Sequence, residues 1–457
     1  MKSSTLLSRN YITYAILLFI ILINVGLKFH NLGYPSWFYY DESFFGYTAK
    51  EMAEGNFSWH GQKDLDRKYI LNYQYLNITP KKYNELRKMP WGKSRKHENV
   101  AYEWTHPPFG KELSALGVLA LGYNPLGWRF VTALFGVLGC VFIFLLGREL
   151  FKSNSTGIFA AFLYTFDSLV FVESRASLTD IYLLCFIMLS SLFFIKHLRT
   201  REKKFLILTA LFCGMGVSVK WTGVFPPVLF SIIIGWNTWK SGSYGFSEFV
   251  RRWFKDSLLL SGITIFFYVF SYLPFFLKGM GVSEFLKMHL AMINYHINVK
   301  SHIYQSSWWS WPLMLRPARF EHNEMGQTAE YIYALGNPVI WWAGLLCIFA
   351  GAVKFFRDHY RPLGFVLASY VFYMIPWAIS PRSVTFIYHY LPSLLFLILM
   401  SSYFMDLAWK RSKSGRVIVL AGIALVIAMF IYLYPVTTGI GIKISDLDKY
   451  LLFSSWK

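Results

Sequence analysis

Apolar runs of about the length needed to cross a bilayer, parted by basic or turn-forming segments, dominate the 457 residues of this chain. A hydrocarbon core offers the backbone no water to bond with, so a spanning segment must satisfy its own peptide groups, and a run of this length does so as a helix. Eleven such runs are read, at 11–28, 126–147, 157–173, 178–197, 205–219, 222–237, 257–277, 338–353, 362–379, 388–405 and 416–434. The expectation is an all-α polytopic membrane protein. Only 15% of residues are charged, against about 25% in soluble domains, and the 20% that are aromatic suit a surface meeting lipid and headgroups. The net charge of +20 does not point to nucleic acid, because the basic residues punctuate apolar segments and form no single patch. Cys140, Cys185, Cys213 and Cys347 all lie inside apolar stretches and read as small buried hydrophobes.

Short loops that keep positive charge mark the cytoplasmic side. With the N-terminus inside, these carry Lys2 and Arg9, then Arg148 and Lys152, the cluster from Lys196 to Lys204, the group Lys240, Arg251, Arg252 and Lys255, then Lys354, Arg357 and Arg361, and finally Lys410, Arg411, Lys413 and Arg416. The C-terminus then faces outside. No small-residue cleavage site follows the first run, so it is expected to be retained. Three segments face outward, at 29–125, 278–337 and 435–457, and the two long ones are expected to be functional. The chain is accordingly divided into an N-terminal catalytic membrane module (1–277), a second outer loop (278–337) and a C-terminal four-helix-type membrane region (338–457).

The first outer loop opens with Tyr39-Tyr40-Asp41-Glu42. A carboxylate here can act as general base for an incoming hydroxyl while its neighbour orients the acceptor or anchors a cation. The plain alternative is a solvated turn capping the helix expected from Ser43 to Met52. Later in the loop comes His106-Pro107-Pro108-Phe109-Gly110-Lys111, in which two prolines set the backbone and His106 and Lys111 bracket the turn as ligands for phosphate or hydroxyl.

Cations also stand at outward helix ends, against the general trend: Arg175, which follows Glu173 and Ser174 and precedes Asp180; Lys220; and Arg382, just before Tyr388-His389-Tyr390-Leu391-Pro392. Singly each suits snorkelling or a structural ion pair. Together they put positive charge on one face, where it can hold the phosphate of a lipid-linked donor and stabilise an anionic leaving group. The second outer loop holds Ser307-Trp308-Trp309-Ser310-Trp311-Pro312, and Asn337-Pro338-Val339-Ile340-Trp341-Trp342 follows. Both read as an interfacial aromatic belt or as a platform for sugar or peptide. No metal-ligand spacing appears around Glu321, Glu324, His289, His296 and His302, and there is no Gly-rich phosphate loop. Neither a metal nor a cofactor is expected.

These residues resemble the protein O-mannosyltransferases, glycosyltransferase family 39, over nearly the whole chain. The resemblance rests on Asp41-Glu42, the His106 to Lys111 motif, Ser174-Arg175 with Asp180, Val219-Lys220-Trp221-Thr222-Gly223, Trp309-Ser310-Trp311-Pro312, Gly336-Asn337-Pro338 with Trp341-Trp342, and His389-Tyr390-Leu391-Pro392. It implies the GT-C fold and inverting, metal-independent transfer of mannose from a polyprenyl-phosphate-mannose donor to Ser/Thr hydroxyls of exported polypeptides. Asp41 is implied as base and Glu42 as support for the acceptor site. Donor phosphate is assigned to Arg175, Lys220 and Arg382, with His106 and Lys111 at the rim; acceptor or sugar contacts fall to Trp309, Trp311, His389 and Tyr390. The second outer loop is too short for the lectin-like insertion of eukaryotic members, so the chain resembles a bacterial one, in the plasma membrane with its site outside, among membrane lipids and in contact with the secretion translocon. Two other readings stay open: a GT-C transferase moving sugar from a lipid phosphate to a lipid, like the aminoarabinose transferases, and a lipid transporter. The nearly charge-free helix interiors, with Asp167 a main exception, and the lack of internal repeats speak against the transporter.

Overall fold

A computed structural model describes residues 2–57, 59, 102–240, 245–299 and 301–457, with side chains from Tyr11 onward. Residues 58 and 60–101 of the first outer loop, and the side chains of Lys2 and Arg9, lie outside the described residues. All eleven predicted runs fall on helices. Helix α1 (Lys2–Phe29) is followed by two helices of the first loop, α2 (Glu42–Ala53) and α3 (Phe109–Leu121), and then by α4 (Pro125–Phe151), α5 (Asn154–Thr165), α6 (Ser168–Glu173), α7 (Asp180–Thr200), α8 (Lys203–Val219), α9 (Phe225–Lys240), α10 (Phe246–Phe270), the short α11 (Leu273–Leu277) and α12 (Val282–Asn298). After strands β1 (Ala318–Met325) and β2 (Thr328–Ala334) come α13 (Pro338–Asp358), α14 (Arg361–Ile379), α15 (Leu391–Arg411) and α16 (Lys413–Thr438), then the two-residue strand β3 (Ile442–Lys443). Among the described residues eight helices are long and apolar enough to cross a membrane by length and composition.

The other three predicted runs form shorter helices than these eight. The run at 157–173 is broken at Phe166, because Asp167 leaves the helix to accept from Val170 N at 3.0 Å as the N-cap of α6. Asp167 also accepts from Trp341 Nε1 at 2.7 Å and Asn337 N at 3.3 Å, so this charged exception in an apolar run ties α6 to α13. The run at 205–219 is the 17-residue α8, and that at 222–237 is a 3-10 turn, Trp221–Val224, leading into the 16-residue α9.

Local rules explain the first hairpin of the bundle. Asn124 caps α4 by accepting from Gly127 N at 3.0 Å, with Pro125 in the first turn where no amide donor is needed. Gly117 and Gly127 allow α3 and α4 to touch: a Cβ on Gly117 would lie 2.3 Å from the Gly127 carbonyl oxygen. One buried cluster extends from Leu17 to Trp456 and joins the early helices to the late ones.

The predicted cytoplasmic loops meet at one end. Arg199 Nη1 donates to Glu149 Oε1 at 2.6 Å, while Ser153 Oγ donates to Asp406 Oδ2 at 2.8 Å and Lys410 Nζ donates to the same carboxylate oxygen at 2.7 Å. The second outer loop is more ordered than a plain loop reading suggests. It contains α12 and an antiparallel hairpin pairing Ala318 with Ala334 and Met325 with Thr328, bulged between Arg319 and Glu321, and β3 adds to its edge. Tyr331, Ile332 and Tyr333 favour a strand, and Thr328–Ala334 is buried on both faces from Ala329 onward.

Candidate active site

Asp41 sits where the chain turns from the end of α1 into α2. Tyr40 just before it has φ 51°, a left-handed conformation costly for a bulky residue. Packing holds it there: its ring stacks on Phe320 of β1 at 4.1 Å between centroids, and its hydroxyl lies 3.1 Å from that of Tyr388. The turn leaves Asp41 as N-cap of α2 without the usual capping bond, and its carboxylate makes no hydrogen bond among the described residues. Burial pushes its pKa up to about 7, with the negative charges of Glu103 and Asp180 adding to the rise and Lys220 and Arg382 opposing it. A half-buried, unbonded carboxylate that titrates near neutrality has the properties of a general base.

Glu42 is built differently, although adjacent. It is fully buried, its two oxygens receive Arg129 Nε at 2.8 Å and Nη2 at 2.7 Å, and Ser177 N donates to Oε1 at 2.8 Å. Arg129 also donates to the carbonyls of Leu32, Pro35 and Trp37. With its carboxylate engaged on both oxygens and closed off from solvent, Glu42 is placed to hold the shape of the turn. Neither Arg129 nor its role was anticipated.

The His106 to Lys111 motif is organised around Glu103, also unanticipated. Glu103 Oε1 accepts from the backbone amides of Thr105 at 2.8 Å and His106 at 3.1 Å, and His106 Nδ1 lies 3.0 Å away. Lys111 Nζ donates to Glu103 Oε2 at 2.5 Å, to Glu103 O at 2.8 Å and to His106 O at 2.7 Å. An ammonium has three donors, so Lys111 has none left for a phosphate, and its predicted rim role is corrected to tying the loop. Burial would raise the Glu103 pKa, but the charge of Lys111 and the hydrogen bonds from His106 and Lys111 prevail and hold it well below the usual carboxylate range. Burial lowers His106 despite the pull of Glu103. With Nδ1 turned to Glu103, a neutral His106 offers Nε2 as an acceptor, which suits a hydroxyl better than a phosphate. A small pocket, about 10 Å³ and so room for about one water, lies beside the loop, lined by Trp104, His106, Lys111, Tyr272, Met288 and Met292 among others.

The three predicted phosphate cations have separate fates. Arg175 Nη1 donates to the carbonyls of Leu27, Lys28 and His30 at 2.8–3.1 Å, and Nη2 donates to Asn31 at 3.2 Å. It therefore caps the carboxy end of α1, where unpaired carbonyls collect, and is withdrawn as a phosphate ligand. Lys220 faces Asp180 at 2.9 and 3.0 Å and sits 5.3 Å from the centroid of the Tyr388 ring. Arg382 donates through Nε to Val384 O at 2.8 Å, and its terminal nitrogens bond nothing among the described residues. Arg382 is thus open to an anion, and Lys220 is a partly neutralised neighbour.

The residues read as acceptor or sugar contacts also divide. Trp309 is 57% exposed at a 3-10 turn, whereas Trp311 is buried and donates through Nε1 to Ser306 Oγ at 3.0 Å. Tyr390 is buried with its hydroxyl 3.0 Å from that of Tyr370 and its ring against Trp341, so it is a core residue. His389 lies 4.3 Å from the Trp377 ring, and its Nδ1 is 2.9 Å from Phe386 N and 3.1 Å from Phe386 O. Its Nε2 has no partner among the described residues and is the ring nitrogen left for a ligand.

The family model for dolichyl-phosphate-mannose-protein mannosyltransferase matches residues 121–278, and the one for the C-terminal four TMM region of protein-O-mannosyltransferase matches 281–456. The polyprenol-phosphate-mannose–protein mannosyltransferase of Corynebacterium glutamicum is 25% identical over 422 residues, covering 77% of this chain and 81% of the relative. The protein of that name from Mycobacterium tuberculosis is 24% identical over 427 residues, covering 77% of this chain and 81% of its own length. The fold is similar to the Saccharomyces cerevisiae protein O-mannosyltransferase Pmt1-Pmt2 complex bound to the sugar donor, with TM-score 0.76 at 14% identity over 97% of this chain and 92% of that one. It is also similar to ArnT from Cupriavidus metallidurans bound to undecaprenyl phosphate, with TM-score 0.58 at 14% identity over 94% of this chain and 65% of that one. Because two adjoining models of one family match nearly everything from residue 121 onward, this multi-pass membrane chain with the GT-C fold belongs to the protein O-mannosyltransferases.

Proposed function

We propose that the chain transfers mannose from a polyprenyl-phosphate-mannose donor to Ser or Thr hydroxyls of exported polypeptides, with inversion at the sugar carbon. The observation that carries this reading is the unbonded Asp41 carboxylate, poised near pH 7 and within the field of Lys220 and Arg382. The acceptor oxygen attacks the anomeric carbon, its proton passes to Asp41, and the bond from that carbon to the phosphate oxygen breaks. Negative charge grows on the departing polyprenyl phosphate, where the free nitrogens of Arg382 can meet it. His106 Nε2 and His389 Nε2 supply ring nitrogens to hydrogen-bond hydroxyls beside it. The names of the bacterial relatives support the same donor and a protein acceptor.

Incubating the purified protein with labelled polyprenyl-phosphate mannose and a Ser/Thr-rich peptide should yield mannosylated peptide. Label appearing only in a glycolipid would favour the lipid-acceptor reading instead. Replacing Arg382 by Ala should weaken donor affinity and slow turnover, each by roughly tenfold to a hundredfold, the worth of a charge-assisted bond. Arg382→Lys should restore part of this, since an ammonium cannot grip phosphate bidentately. The side chain bonds only one backbone carbonyl, so the melting temperature should hardly move. Unchanged donor affinity in folded Arg382→Ala protein would remove Arg382 from the site.

The site is placed on the outer face of the plasma membrane, where acceptors leaving the translocon would pass. Cysteines introduced at Ser307 and Ser445 should then react with an impermeant reagent from outside, and one at Ser414 only after the membrane is opened. Labelling of residue 445 from the cytoplasm would refute this orientation.

A further inference from the structure

The Asp41 side chain is held by nothing of its own. Its carboxylate caps no amide of α2 and bonds no other group among the described residues, so the place of its oxygens follows from the backbone that delivers them. That backbone is unusual one residue earlier, where Tyr40 has φ 51°. A tyrosine holds this left-handed conformation only where its surroundings over-determine it.

Two distant segments supply those surroundings. Strand β1 is bulged between Arg319 and Glu321, and Phe320 is the residue left without a partner on β2. A bulge re-aims the side chain it frees. Here the Phe320 ring, 4% exposed, lies flat on Tyr40, with 4.1 Å between centroids and 14° between planes. The same hairpin is fastened to the chain that leads into Tyr40: Trp37 Nε1 donates to Glu321 Oε2 at 3.0 Å, and the Tyr34 hydroxyl donates to Glu330. The second segment is the 3-10 turn Ile387–Tyr390. Its Tyr388 hydroxyl lies 3.1 Å from that of Tyr40, and its ring stands edge-on to those of Tyr40 and Phe320, 6.2 Å from each. Lys220 Nζ lies over the other side of this contact, 5.3 Å from the Tyr388 centroid.

We propose that Tyr40, clamped by Phe320 and Tyr388, is a positioning residue that sets the Asp41 carboxylate, and that the bulged hairpin of the second outer loop is its brace. This role rests on the mannosyl-transfer reading and adds what fixes its base. The charged groups facing Asp41 are Glu103 before α3, Glu173 at the end of α6, Asp180 on α7, Lys220 after α8 and Arg382 before the 3-10 turn, together with the hydroxyls of Tyr40, Tyr295 and Tyr388. Substituting Phe320 changes none of them. Burial is what raises Asp41, so a carboxyl released by loss of the brace titrates at lower pH.

The test is the full chain in lipid nanodiscs carrying Phe320→Leu, which keeps apolar bulk and loses the flat stack, Phe320→Tyr, which keeps the stack, or Phe320→Leu with Asp41→Asn. Transfer to a Ser/Thr-rich peptide gives kcat and the donor KM across pH. Modification of Asp41 by dicyclohexylcarbodiimide, which adds to the protonated carboxyl and is read by peptide mass spectrometry, gives its titration without any transfer. Phe320→Leu should lower kcat about tenfold to a hundredfold, the effect of a small misplacement, with donor KM within about twofold of the parent. The rise of kcat with pH and the fall of labelling should both move about one unit below the parental midpoint near 7. Phe320→Tyr should recover most of both. Tyr388→Phe, which loses only the hydroxyl, should shift both in the same direction by less, and carries the test if the Leu protein fails to fold. With Asp41→Asn already present, Phe320→Leu should change transfer by less than about twofold, since a residue acting through Asp41 has nothing left to act on. An equal kcat loss in that background would overturn the brace. So would a lowered melting temperature with both midpoints unmoved, which assigns Phe320 to packing alone. A shifted labelling midpoint in a chain that transfers no mannose would keep the brace and overturn the transfer reading alone.

Discussion

Asp41→Asn is expected to lower mannosyl transfer by about 10²–10⁴-fold, the usual contribution of a positioned base, while donor affinity stays close to that of the parent. Asparagine keeps the size of the side chain and removes only its ability to take a proton. Because burial raises the Asp41 pKa to about 7, transfer by the parent should climb as the pH rises through about 7 and level off above it. The stability effect has the opposite sign. A carboxyl whose native pKa exceeds its unfolded value binds its proton more tightly when folded, so its contribution falls as the pH rises from the unfolded pKa through about 7. Above that point the Asn variant should therefore be no less stable than the parent. Transfer at near-parental rate in the Asn protein, or a pH profile flat across neutrality, would exclude Asp41 as the base.

The membrane helices were legible because the bilayer imposes a length and a composition that local sequence must show. Even the broken run at 157–173 carried its signal, since the charge of Asp167 in an apolar stretch marks the cap that interrupts it. The carboxylate pair and the His106 motif were legible for a related reason, being local groupings in a long outer loop. What could not be read was which charges have partners. Arg175, Lys220 and Arg382 look alike as lone cations at helix ends. The first is satisfied by carbonyls of α1 more than a hundred residues away, the second by Asp180, and the third by a single nearby carbonyl. Glu103 had a faint local signal, an acid three residues before His106 and eight before Lys111, that motif reading passed over. The hairpin was not legible because its strand-forming residues are few and Thr328–Ala334 is buried on both faces, leaving no period-two pattern.

The sharpest of these long-range facts separates two adjacent acids by experiment. Glu42→Ala should destabilise the protein by about 3–5 kcal/mol, the cost of leaving one partner of a buried ion pair uncompensated, and Arg129→Met should cost about as much. Arg129 also satisfies three carbonyls of the turn that presents Asp41, so its loss should loosen the segment from Leu32 to Trp37. Neither effect depends on substrate. The two changes should be strongly non-additive, because the second removes a group already orphaned by the first. Glu42→Gln should fall between parent and Ala: the amide oxygen can still accept from Ser177 N, but the charge facing Arg129 is gone. Thermal unfolding of the four variants without donor or acceptor measures all of this. Asp41→Asn in the same assay should show no such loss, so neighbouring residues separate into one that carries the chemistry and one that carries the turn. If Glu42→Ala instead melts with the parent and loses transfer through a raised KM for the peptide, the carboxylate meets the acceptor directly, as the family resemblance implies, and the Arg129 pair does not set its role.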